Sequence, residues 1–218
     1  MDCIILAGGK GTRMESPIPK VLTEVKGKAI IAHQIDYLKD KVDKIVLALG
    51  FQAEKVAQYI KEKYPESSIE LSFEDEPLGT GGATKKALGL TSSKFVLVLN
   101  SDDITDIDPK DLEKYAESAI CVAHPRLPFG LIEEKEGYAR FVFNPILEDR
   151  LVHIGWHMLS REEYLEALPD KGSIESDVFP KMKLRLHLHQ GFWGTLNSKK
   201  DISNFEQRTD LPASLEIK

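Results

Sequence analysis

The chain has 218 residues, 42% of them hydrophobic, which is enough to bury a substantial core and fits one domain better than two small ones. Its 35 acidic against 29 basic residues leave a net charge of −6, which argues against a protein that grips polyanionic nucleic acid over a broad surface, so any phosphate binding is expected to be local. No apolar stretch approaches the ~20 residues of a membrane span, and the N-terminus runs straight into a strand with no basic-then-apolar leader, so a cytoplasmic protein that engages neither membrane nor nucleic acid is expected.

In chain order, Asp2 to Ala7 is a continuous apolar run ending in glycines, the pattern of a buried parallel strand followed by a functional loop. Ala29 to Lys39 places Ile30, Ile31, Ile35 and Leu38 at helical spacing. Lys44 to Leu49 predicts a second buried strand, Gln52 to Tyr64 a helix, and Ile69 to Phe73 a third strand. A Gly-rich turn at Gly79 to Gly82 opens another helix, and Lys94 to Leu99 is a fourth strand. After Pro109 come a helix and the strand Ala119 to Ala123. Leu131 to Ile132 and Arg140 to Phe143 suggest a small β insertion. His153 to Leu159, Leu184 to His189 and a helix from about Lys199 to Gln207 complete the chain. Cys3 and Cys121 sit in apolar runs and read as reduced core residues. Leu184, Leu186 and Leu188 alternate with Arg185, His187 and His189, as in a half-buried strand with a polar face; two histidines at i and i+2 also allow a metal site. His33 and His124 have no partner cluster and read as structural.

Strands alternating with helices imply an α/β, Rossmann-like, mostly parallel sheet with helices on both faces, and such sheets bind ligands beyond the carboxyl ends of their strands. Residues 1–218 read as one domain, with 1–108 a nucleotide-binding half and 109–218 an acceptor-binding and lid half.

The first strand runs into Leu6-Ala7-Gly8-Gly9-Lys10-Gly11-Thr12-Arg13-Met14. Three glycines in four positions let consecutive N–H groups converge on phosphate oxygens as an anion nest, with Lys10 and Arg13 adding charge. A Walker A loop needs Ser or Thr after its lysine, but Gly11 follows Lys10; a dinucleotide fingerprint needs a glycine where Met14 stands. A plain tight turn is the remaining alternative. Pro19-Lys20-Val21-Leu22 and Val25-Lys26-Gly27-Lys28 follow. Together these strings resemble the nucleotidyltransferase superfamily that makes nucleotide-sugars, with its LAGGxGTRL, PKxL and VxGKP elements. The resemblance implies that the loop holds a nucleoside triphosphate and that Arg13 and Lys20 neutralise it. A lysine near the β- and γ-phosphates suits a reaction whose leaving group is pyrophosphate.

Glu74-Asp75-Glu76-Pro77-Leu78-Gly79-Thr80-Gly81-Gly82-Ala83 resembles the family's xxPLGTGGA signature at the nucleobase pocket, which implies base-binding roles for Glu74, Gly79, Thr80 and Gly82. A carboxylate at 74 can accept hydrogen bonds from guanine N1–H and N2–H and would repel the carbonyls of uracil, so GTP is the expected donor, although some relatives with an acid here use UTP. Leu99-Asn100-Ser101-Asp102-Asp103 resembles the family's LNGD element, which implies that Asp102 holds Mg²⁺; the alternative is that Asp102 or Asp103 caps a turn.

Beyond about Pro125 the resemblance weakens. The lysine of the family's EKP element is missing at Phe143-Asn144-Pro145. The sugar-contacting NAG segment is replaced by Val152-His153-Ile154-Gly155-Trp156, with Gly155 matched and His153 in the asparagine position. Ser173-Ile174-Glu175-Ser176-Asp177-Val178-Phe179-Pro180 is similar to an SxExDVFP element, which puts Glu175 on sugar hydroxyls; the exposed first turn of a helix explains the same acids. Gly191-Phe192-Trp193-Gly194-Thr195-Leu196-Asn197-Ser198-Lys199-Lys200-Asp201 stands where a WxDxGT element carries a second metal carboxylate. Asn197 could supply a neutral oxygen and Asp201 could merely begin the last helix, so the second ligand is unassigned. The resemblance implies transfer of a nucleotidyl group to a sugar 1-phosphate, with a homodimer an open option. Two rivals stand beside it: a guanylyltransferase for a cofactor precursor such as cobinamide phosphate or molybdopterin, and a catalytically weak regulatory relative that binds a nucleotide-sugar.

Overall fold

The computed structural model describes residues 1–14, 17–212 and 215; the last residues of the 1–218 domain expectation lie outside them. The chain opens with β1 (Asp2–Leu6), then 3₁₀ turns at Thr12–Met14 and Lys20–Leu22. A tight hairpin of β2 (Glu24–Val25) and β3 (Lys28–Ala29) feeds α1 (Ile30–Leu38). Next come β4 (Lys44–Leu49), α2 (Ala53–Lys63), β5 (Ile69–Phe73), α3 (Gly79–Leu88) and β6 (Phe95–Asn100). The second half comprises β7 (Asp103–Thr105), α4 (Pro109–Glu113), β8 (Ala119–Ala123), β9 (Leu131–Lys135) and β10 (Tyr138–Val142). It ends with β11 (Val152–Ser160), α5 (Arg161–Ala167), α6 (Ile174–Asp177), β12 (Arg185–Leu188), β13 (Trp193–Thr195) and α7 (Lys199–Glu206).

Seven strands form one sheet in the order β12-β8-β11-β6-β1-β4-β5. All neighbours are parallel except β11, which runs antiparallel to both β6 and β8. The α/β, mostly parallel reading of the sequence therefore holds. Away from Asp2, Lys44 and Asn100 at their ends, the central strands β1, β4 and β6 are apolar because helices cover both faces. Ile5, Leu47 and Leu99 point to one side and pack with α1 residues such as Ile31 and Ile35. Ile4, Val46 and Val98, one position away, point to the other side with Ala87 of α3 and Tyr164 of α5. Cys3 and Cys121 are free and buried, as their apolar contexts predict.

Four features depart from the sequence reading. The β2–β3 hairpin, the β7–β13 ribbon and α5 lie where the pattern shows no clear element, because each is short and held by tertiary contacts. The β insertion is a longer hairpin than expected, β9 paired with β10. The stretch His153 to Leu159 lies in β11, a buried antiparallel strand inside the sheet. At 184 and 185 the expected sidedness holds, with Leu184 packed on the core and Arg185 exposed, but beyond them it is exchanged: Leu186 and Leu188 are exposed, while His187 and His189 turn inward onto Tyr115 and Asp106. β12 is an edge strand, where packing on one face no longer imposes the usual sidedness.

Candidate active site

A cleft of about 740 Å³ opens at the carboxyl ends of β1, β4 and β6. Its walls include Leu6, Gly8, Gly9, Lys10, Gly11 and Lys20 from the first strand and its loop, Glu74, Gly79 and Thr80 from the turn into α3, and Asp102 after β6. Ala7, Thr12, Arg13 and Gly82 are not among these walls: Ala7 is buried in the core, and Thr12 and Arg13 are exposed on the 3₁₀ turn.

The glycine loop follows directly on β1 and is stitched at its two ends. Ala7 N–H still belongs to the sheet, donating to Ala48 O, and Met14 N–H closes a turn on Gly11 O. From Gly8 to Gly11, no amide donates to another backbone group among the described residues, and all four residues line the cleft. Gly11 has φ of +60°, and a Cβ there would lie 2.7 Å from Lys20 Cβ. Only glycine gives both the left-handed conformation and the room for Lys20 to pack over the loop.

Lys20 is the centre of the cationic end. Its Nζ donates to Asp102 Oδ2 and to Asn197 Oδ1, the latter at 2.7 Å, with the lysine and aspartate side chains largely buried. Several contacts hold this arrangement. Gln34, buried on α1, donates to Ser101 O and Asp103 O and so fixes the loop that carries Asp102. The β7–β13 ribbon pairs Asp103 with Thr195, and Leu196 N–H donates to Asp102 O, which delivers Asn197 to the site. Asn197 Nδ2 donates to Thr195 Oγ1, orienting its oxygen toward Lys20. Asp201 belongs elsewhere: it forms a reciprocal capping box with Ser198 at the start of α7.

Asp103, next to Asp102, plays a different part. Its carboxylate is buried and accepts from Trp193 Nε1 and Asn100 Nδ2. Burial, followed by the neighbouring Asp102 charge, pushes it up to about 6 against those hydrogen bonds. Gly155, at φ +76°, lies directly against Asp103, in the interval of irregular β11–β8 register between His153 and His157.

At the other end, Glu74 follows β5 and accepts the Leu78 N–H through Oε2 at 2.9 Å, while Oε1 lies over Gly8. The carboxylate keeps further lone pairs for a ligand, since each oxygen can accept twice. The glycines of this turn serve packing as well as access. Gly79, at φ +73°, meets Gly172 O, and Gly82 meets Asp170 O, so closely that no Cβ fits at either position. Gly82 is thus buried behind the cleft. Thr80 Oγ1 donates to Glu175 Oε2 and accepts Ile174 N–H, which ties α6 to the rim. Ser173 Oγ also donates to that Glu175 oxygen.

The other sequence candidates lie apart. His189 Nε2 approaches Asp106 Oδ1 at 2.8 Å, His187 bonds Tyr115, and among the described residues no group of three or more His, Cys, Asp or Glu could hold a metal ion. His33 and His124 bond backbone carbonyls. Gln34, Gly50 and the β7–β13 pairing are contributions that no motif announces; Gly50 alone had a visible signal, since it ends an apolar strand run as Gly8 does.

Comparison with known proteins agrees with this geometry. The MobA-like NTP transferase domain model matches residues 3–143. The D-glycero-alpha-D-manno-heptose 1-phosphate guanylyltransferase of Campylobacter jejuni is 30% identical, covering 94% of this chain and 98% of that protein. The bifunctional protein GlmU of Methanococcus maripaludis is 32% identical, but the chain spans only 54% of it. The crystal structure of HddC from Yersinia pseudotuberculosis complexed with GMP-PN superposes with a TM-score of 0.75 at 25% identity, covering 94% of this chain and 97% of that one. Among the described residues no helix is long and apolar enough to cross a membrane.

Proposed function

This chain belongs to the MobA-like NTP transferase family and is a nucleotidyltransferase, and from that premise we propose that it transfers GMP from GTP to a sugar 1-phosphate, releasing pyrophosphate in the cytoplasm. The observation that carries the reading is one cleft joining the open amides of the glycine loop, the Lys20–Asp102–Asn197 cluster and the Glu74 turn. Relatives named for heptose 1-phosphate and mannose 1-phosphate guanylyl transfer support the donor and the acceptor class.

On this reading one domain does the work, with residues 1–108 binding the nucleotide and 109–218 the acceptor. The loop amides at Gly8 to Gly11 bind the triphosphate, and Glu74 accepts hydrogen bonds from guanine. An acceptor phosphate oxygen attacks the α-phosphorus in line, the bond to the bridging oxygen of the β-phosphate breaks, and pyrophosphate leaves with the electron pair. Lys20 offsets the charge that grows on that leaving group, and Arg13, on the exposed turn beyond the cleft, is assigned to the outer phosphate oxygens. Glu175, tied to Thr80, and Gly155 border the acceptor side.

The residues fit a magnesium ion. The Asp102 and Asn197 oxygens already converge on a positive charge, the Lys20 ammonium, and hard oxygen donors at a strand's carboxyl end suit Mg²⁺. Asp102 and Asn197 would hold it. Bound there, it would supply charge neutralisation to the phosphates.

The test is pyrophosphate release from each NTP against a panel of sugar 1-phosphates, with cobinamide phosphate as a further acceptor. Release with GTP and a sugar 1-phosphate is expected. Release only with cobinamide phosphate would move the protein to cofactor assembly. Tight nucleotide binding with no release from any acceptor would favour a regulatory role, and calorimetry showing UTP bound more tightly than GTP would overturn the assignment of the base.

A further inference from the structure

The β9–β10 hairpin is the one large part of the described chain that the core does not explain. No residue from 124 to 151 belongs to either hydrophobic cluster or is packed against one. A two-stranded hairpin on its own is marginal in water, so its residues are expected to be polar. These are not. Ile132 and Phe141 face each other across the ladder, both more than half exposed, and Phe143 stacks beside Phe141 with ring centroids 6.4 Å apart. Alternation along the strands puts Glu134 and Ala139 on this same face, and Glu133, Arg140, Lys135 and Tyr138 on the opposite one. Glu133 and Arg140 pair with each other there. The apolar face therefore carries acid and no base, with Glu136 at the turn adding to it.

The molecule presents a second uncovered surface of the matching kind. β12 is an open edge of the main sheet, and its outward leucines, Leu186 and Leu188, are exposed. Residues 178–189 contain no acid, and the exposed Lys181 and Lys183 lead into the strand. The edge and the hairpin lie on the same side of the molecule. The insertion leaves β8 at Ala123 and returns through Val152, which pairs with Ala123, while Leu188 pairs with Val122 beside them.

An acidic apolar arm and a basic apolar edge on one chain are complementary to each other, but the arm springs from beside its own edge and does not lie on it. We propose that the hairpin is the docking arm of a two-fold homodimer, in which the Ile132–Phe141–Phe143 face of each copy covers the Leu186–Leu188 edge of the other and Glu134 and Glu136 meet Lys181 and Lys183. Each copy gives one arm and one edge, so the assembly closes at two and both open surfaces are consumed. The arm needs nothing from the nucleotide cleft, so the interface stands whatever the substrate.

Sedimentation velocity from about 1 to 100 µM tests this, since interfaces of ordinary affinity fall within that range. The wild-type chain is expected to be a dimer. A Phe141→Ser/Phe143→Ser variant and a Leu186→Ser/Leu188→Ser variant should each raise the dimer dissociation constant by at least about tenfold while keeping the wild-type far-UV circular dichroism spectrum, because neither pair belongs to the core. Glu134→Lys and Lys183→Glu should each weaken the dimer, and the two together should recover most of the loss. A monomeric wild type, an open-ended polymer, a dimer indifferent to either apolar pair, or a double charge reversal that recovers nothing would overturn the proposal.

Discussion

Replacing Gly11 by alanine tests the glycine loop with two separable readouts. The residue sits at φ +60°, where an L side chain costs about 1–2 kcal/mol relative to glycine. The added Cβ would also lie 2.7 Å from Lys20 Cβ, and both atoms are fixed to backbone, so neither can swing away. Either the loop or the Lys20 turn must move by a sizeable fraction of an ångström. Gly11→Ala should therefore lose about 2 kcal/mol of stability in urea unfolding. A shift of that size at the lysine we assign to the phosphates should also cost roughly 100-fold in kcat for pyrophosphate release. Gly9 is the control, because a Cβ there meets nothing within 4 Å. Gly9→Ala should unfold within about 0.5 kcal/mol of wild type and yet bind GTP at least about tenfold more weakly, since its methyl group stands in the space assigned to phosphate. Wild-type stability in Gly11→Ala would refute the packing argument; wild-type GTP affinity in Gly9→Ala would refute the phosphate cradle.

Other expectations follow from single contacts. His157 is fully buried with no hydrogen-bond partner at either ring nitrogen, and burial, then His153, holds its pKa well below the ordinary 6.5. The folded state thus refuses a proton that the unfolded state accepts, so stability is complete above pH 6.5 and falls by about 1.4 kcal/mol per unit below it; His157→Leu should lower that slope by one proton in denaturant titrations between about pH 5 and 6.5. Gly155→Ala drives a Cβ into the Asp103 carboxylate at a positive φ and should cost about 2–4 kcal/mol by the same unfolding assay. Ser198→Ala removes the capping box of α7, and a loss of about 1 kcal/mol is expected in calorimetric melting.

Much of the fold was legible because it rests on long apolar runs. The strands at 2–6, 44–49 and 95–100 are hydrophobic at every position but one terminal residue each, Asp2, Lys44 and Asn100, and that pattern has few readings besides a strand covered on both faces. The lining of the cleft was legible where the local sequence is rare: the loop glycines, Lys20 of the proline–lysine pair and Asp102 after β6 all border it. The site was hidden where a role is created by distance in sequence. The sequence marks Asn197 as a possible metal oxygen, but its bond to Lys20 arises only because β13 pairs with β7, and Gln34, which no motif announces, matters only because it bonds the 101–103 loop from α1. The reversed face of β12 was misread because alternation reports that a strand has two faces, not which one is covered. Gly82 was placed at the base pocket by its motif, whereas its position is set by the 170–172 segment, which no local pattern connects to it.

The central claim is that the Asp102 carboxylate, beside the glycine loop, serves a metal-dependent nucleotidyl transfer. The most direct measurement is the rate of pyrophosphate release from GTP and a sugar 1-phosphate with Mg²⁺, for the wild type and for Asp102→Asn, with the unfolding midpoint of each recorded alongside. A fall in turnover of about 1,000-fold or more at a nearly unchanged midpoint is the predicted result. A variant that turns over within about twofold of the wild type would remove Asp102 from the chemistry and contradict the account.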